Sequence, residues 1–62
     1  MKIEIKTQAD LNGAVKTLLN CVTGMCNSNS MEQVVSLFTD TKDLLIAIYK
    51  FKVSLIEKTS KN

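Results

Sequence analysis

The residues able to do chemistry in this 62-residue chain are few: Cys21 and Cys26, Asp40 and Asp43, and the lone Tyr49. There is no histidine, so general acid-base work would fall on Asp, Glu, Lys or Tyr49. Asp40 and Asp43, three apart, share one face of a helix and would give a metal two oxygen ligands. Two carboxylates with no histidine and no third ligand read as a solvated helix surface, and the Glu-x-x-His pattern of helical di-metal sites is missing. The Cys21/Cys26 spacing is not that of a structural zinc pair, and such cysteines read as small packing residues. With no glycine-rich phosphate loop and no nucleophile elbow, the chain implies no catalytic residue, no metal and no cofactor. The expectation is a protein that is not an enzyme.

Composition narrows the class further. A chain of this size forms one domain, residues 1–62, and buries only about 60% of the surface its unfolded form exposes. Domains this small add disulfides, a metal or a second subunit. Two cysteines and a charged, alternating start (Met1-Lys2-Ile3-Glu4-Ile5-Lys6) point to a reduced, cytoplasmic protein without a signal peptide. Lys50 and Lys52 interrupt the most apolar stretch, which argues against a membrane span. All eight basic residues are lysine, and the missing arginine weakens a sequence-specific nucleic-acid reading. An AT-rich genome explains the bias.

The elements follow from caps and periodicity. Thr7 or Asp10 caps a first helix, expected over about 8–24, in which Leu11, Val15, Leu18, Val22 and Met25 recur at steps of four and three, with Ala14 and Leu19 beside them. Gly24 is placed as the left-handed C-terminal cap. The run Cys26-Asn27-Ser28-Asn29-Ser30 is a loop, and Ser30 with Gln33 forms a capping box for a long helix over about 31–58. Along it Val34, Leu37, Thr41, Leu44, Ile48, Phe51 and Leu55 form a seam, with Thr39-Asp40-Thr41 as the point where it would kink or break. The reading is all-α, an antiparallel helical hairpin with an extended N-terminal segment. The rival is α+β in strand-helix-helix-strand order, because Tyr49, Phe51, Val53 and Leu55 alternate with Lys50, Lys52 and Ser54, leaving residues 48–56 open to either state.

On a helical wheel, residues 44–58 separate into two apolar stripes. Phe51, Leu44, Leu55 and Ile48 form one; Leu45, Ile46, Tyr49, Val53 and Ile56 form the other. In a hairpin with Leu11 opposite roughly Leu45, the long helix overhangs by about a dozen residues, along which Ile3 and Ile5 can reach. The second stripe is left for another molecule, and a two-fold dimer completing a helical bundle buries it. The expected interface is therefore Leu45, Ile46, Tyr49, Val53 and Ile56. Lys2, Lys6, Lys50, Lys52, Lys58 and Lys61 gather at one end against Glu4 and Glu57, a basic pole of local charge +4.

These features describe a small helical protein-protein interaction module, an oligomeric regulator or inhibitor with a partner protein. In size, lack of catalytic residues and AT-rich flavour it resembles accessory proteins of phages and mobile elements, a likeness of kind with no motif behind it. The alternative is a nucleic-acid-binding regulator that lays the lysine pole of a dimer on phosphate.

Overall fold

The structure, a computed structural model, describes residues 3–59. Two helices, α1 (Gln8–Asn27) and α2 (Met31–Thr59), are joined by residues 28–30. A three-residue connection turns α2 back along α1, and the pair forms a rod of 51 × 17 × 17 Å. Among the described residues there is no strand, so the α+β alternative is not supported. Residues 44–49 contain no breaker, and the backbone of 49–55 continues as helix; the alternating apolar residues there are the edges of a wide apolar sector.

Side-chain hydrogen bonds set the helix ends. Thr7 is the N-cap of α1: its Oγ1 accepts from the Asp10 amide at 3.1 Å, and Asp10 Oδ2 accepts from the amides of Thr7 (3.2 Å) and Lys6 (3.0 Å). Four groups otherwise left unpaired at a helix start are thus partly satisfied by two side chains. At α2 the expected capping box is relayed. Ser30 Oγ accepts from the Gln33 amide (3.3 Å), but the Gln33 side chain accepts from Ser28 Oγ (2.7 Å), which itself accepts from the Ser30 amide (3.1 Å).

Gly24 does not end α1: its φ is not positive, and the helix continues to Asn27, with Ser28 as an extended C-cap. Its role is close approach, since a Cβ there would meet Leu37 Cδ1 at 3.0 Å. The Thr39-Asp40-Thr41 segment does not break α2: the helix runs through it, and both threonine hydroxyls donate to carbonyls one turn back, to Val35 at 3.1 Å and to Leu37 at 2.8 Å.

The core is thin. Ala14, Cys21 and Leu44 are buried, with Ile3, Ile5, Leu18, Leu37 and Ile48 packed around them. The expected face of α1 is rotated: Leu11, Ala14, Leu18, Cys21 and Met25 turn inward, whereas Val15 and Val22 are exposed. Small residues win the inward positions because they let the helices approach while Leu37, Leu44 and Ile48 fill the space between. Pairing Gly24 with Leu37 and Ala14 with Leu44 places Leu11 level with roughly residues 47–50, not Leu45, and shortens the overhang of α2.

Candidate functional site

The two long sides of the hairpin differ. Ile3 and Ile5 border Gly13, Ala14 and Thr17 of α1 in one shallow depression, and Ala47, Phe51 and Ser54 of α2 in another. Gly13 and Thr17 each precede an inward residue of α1, as Ala47 and Ser54 precede Ile48 and Leu55 of α2. The N-terminal segment therefore covers the side made by the residue before each core position.

On the other side lie the residues that follow each core position. In α1 these are Val15, Leu19 and Val22, after Ala14, Leu18 and Cys21. In α2 they are Val35, Phe38, Leu45, Tyr49 and Ile56, after Val34, Leu37, Leu44, Ile48 and Leu55. One residue rotates the direction by about 100°, and in antiparallel helices the same sense of offset brings both stripes to the same side of the hairpin. All eight are exposed, Leu19 at 62%, Phe38 at 57% and Tyr49 at 69%. Nothing among the described residues covers them.

Of the sequence-derived interface, Leu45, Tyr49 and Ile56 belong to this stripe and are exposed, whereas Ile46, also exposed, and Val53, half-buried, do not follow a core position. What sequence reasoning missed is the rest of the face, Val15, Leu19 and Val22 on α1 and Met31, Val35 and Phe38 on α2. A signal existed, because Met31, Val35, Phe38, Leu45, Tyr49 and Ile56 keep four-three spacing once Lys42 and Lys52 are admitted to the series. Lys42 sits in the middle of the stripe and is exposed.

Of the basic pole, Lys6, Lys50, Lys52 and Lys58 are exposed, and Lys2 and Lys61 lie outside the described residues. Lys6 Nζ stands 3.9 Å from Glu4 Oε1, an exposed pair of small energetic weight. The chemistry candidates do not converge. Cys21 is buried and Cys26 exposed, Asp40 and Asp43 are half-buried, and among the described residues no three His, Cys, Asp or Glu side chains are placed to hold a metal. Among those residues, no helix is long and apolar enough to cross a membrane. The Lys6 amide foremost, with the Thr7 amide and hydroxyl, holds the Asp10 carboxyl below its ordinary value.

No protein-family model, curated protein or solved structure matches this chain, so a functional reading rests on the geometry.

Proposed function

We propose that this chain is a small non-catalytic interaction module, a self-associating regulator or inhibitor that acts in the cytoplasm by occupying a surface of another protein. The single observation that supports the reading is the bare apolar face of the hairpin, centred on Leu45, Tyr49 and Ile56. Monomeric proteins seldom leave a contiguous apolar patch beyond a few hundred Å², and larger ones mark contact surfaces. In this reading residues 3–6 run extended along the opposite side, and dimerisation through the bare face completes a helical bundle that presents the partner surface. A phage-type accessory protein would work in this way, by contact alone.

The test is capture of the partner by tagged protein, with and without nuclease, alongside Tyr49→Asp. Protein retained through nuclease treatment and lost with the variant supports the module; retention by both overturns the role of the face.

The exposed Lys6, Lys50, Lys52 and Lys58 favour a second reading, nucleic-acid binding through the lysine pole. Phosphate contacts weaken steeply with salt, whereas an apolar protein contact does not. If Lys50→Glu with Lys52→Glu leaves all binding intact, the lysine pole has no such role.

A further inference from the structure

Resting on the self-association in that reading, we propose that the bare face is closed by a second copy of this chain, giving an antiparallel four-helix bundle whose two-fold axis runs along the helices. In this arrangement α1 of each protomer lies against α2 of its partner, and both 28–30 connections sit at the same end of the bundle.

Area is the first argument. A folded monomer of 6.9 kDa exposes about 4,000 Å² by the size scaling of single-chain proteins. This chain exposes 4915 Å². The excess, on the order of 900 Å², is close to the roughly 800 Å² that each partner buries in a standard interface.

Direction is the second. Each helix carries two apolar stripes one residue apart, hence about 100° apart. In a square bundle each helix touches two neighbours about 90° apart, and in a triangular one about 60°. A single added helix lying in the groove would need stripes that converge on the groove. Here the exposed stripes of α1 and α2 point the same way, side by side, and fit two more helices spaced as these two are. A second hairpin supplies them.

Charge and level choose the axis. Counting from the Gly24–Leu37 and Ala14–Leu44 pairings, Val22 lies level with roughly Phe38, Leu19 with the gap between Phe38 and Lys42, and Val15 with Leu45. Stacking α1 on the partner's α2 at the same level therefore sets Val15, Leu19 and Val22 against the stretch from Phe38 to Leu45, with Lys42 beside Leu19. The competing two-fold, perpendicular to the helices, stacks α2 on its own copy. The stripe from Met31 to Ile56 is centred between Lys42 and Leu45, so that arrangement sets each Lys42 against the partner's Leu45 and brings the two Lys42 positions within about 5 Å of each other along the helix axis. A lysine in the middle of a seam sets register by excluding such a pairing.

The experiment is solution mass by light scattering or sedimentation on the full chain, with disulfide trapping. The wild type is expected at twice the chain mass, and Leu19→Asp, at an exposed site of α1, is expected to raise the dissociation constant roughly tenfold or more with helicity retained. In a Cys26→Ser background, mixing Val22→Cys with Phe38→Cys chains is expected to give the mixed disulfide, and Lys42→Cys alone no disulfide dimer. The trapped pair keeps the test decisive if Leu19→Asp fails to fold. A dimer lost with Tyr49→Asp but untouched by Leu19→Asp and untrapped by the mixed pair overturns the two-helix interface while leaving self-association standing. A Lys42→Cys disulfide dimer overturns the axis. A monomeric wild type at high micromolar concentration, or one that instead sediments with anionic phospholipid vesicles, overturns the second copy as occupant; the partner-capture test of the module then stands or falls separately.

Discussion

A Cβ built on Gly24 of α1 would stand 3.0 Å from Leu37 Cδ1 of α2, whereas one on Gly13 would meet nothing within 4 Å. Both glycines lie inside α1, and both cost helix stability through backbone entropy. Gly13→Ala is expected to gain about 0.5–1 kcal/mol, a rise in melting temperature of roughly 4 °C or more. Gly24→Ala should gain clearly less, because Leu37 must shift to admit the methyl. Thermal melts at one protein concentration check the order, and equal gains at both sites would show that the helices are not this close at Gly24.

Leu44 and Leu45 are adjacent in sequence and opposite in role. Leu44 is 2% exposed and Leu45 51%. Leu44→Ala is expected to cost about 2–5 kcal/mol, which is most of the stability a domain this small holds. Leu45→Ala should leave helicity largely intact and act on association. Circular dichroism paired with solution mass separates the two effects.

Capping at the start of α1 gives a pH dependence with a definite sign. Ionised Asp10 accepts the Lys6 and Thr7 amides, so its pKa is lower in the folded protein than in the unfolded chain. Its stabilising contribution is complete above the unfolded value of about 3.9 and is lost as pH falls through the lower folded value. Asp10→Asn should flatten the stability profile in that acid window. Denaturant titrations between mildly and strongly acidic pH read the difference between the two profiles.

Thr7→Ala removes the other half of the same box and is expected to cost about 1 kcal/mol at every pH. Thr7→Ser, which keeps the hydroxyl, should recover most of it. Loss of stability in both variants would locate the effect in the methyl group and not in the cap.

The cysteines should differ in reactivity by burial. Cys26 is exposed and Cys21 is 6% exposed within the core. A thiol reagent should modify Cys26 promptly and Cys21 only as fast as the hairpin opens. Mass spectrometry over a time course distinguishes one fast and one slow site from two fast ones, the outcome expected if Cys21 were outside the core.

Much of this fold is set locally, and that part was legible. Thr7, Asp10, Ser28, Ser30 and Gln33 fix where helices begin through short-range hydrogen bonds, and such bonds depend on residues within five of each other. The four-three series from Val34 to Leu55 points to one long α2, while the alternation of Tyr49, Phe51, Val53 and Leu55 leaves residues 48–56 open to strand until the structure shows helix there. Only the tertiary structure decided which stripe of α1 faces inward. Val15-Leu18-Val22 and Ala14-Leu18-Cys21 share the same helical period, and hydropathy favours the larger residues. Packing favours the smaller ones, because Ala14, Cys21 and Gly24 let α2 come close enough for Leu37 and Leu44 to fill the seam. The same choice turned Val15, Leu19 and Val22 outward beside Phe38 and Tyr49. Single residues carry no record of that side-by-side placement, since it arises only when two antiparallel helices are offset in the same sense.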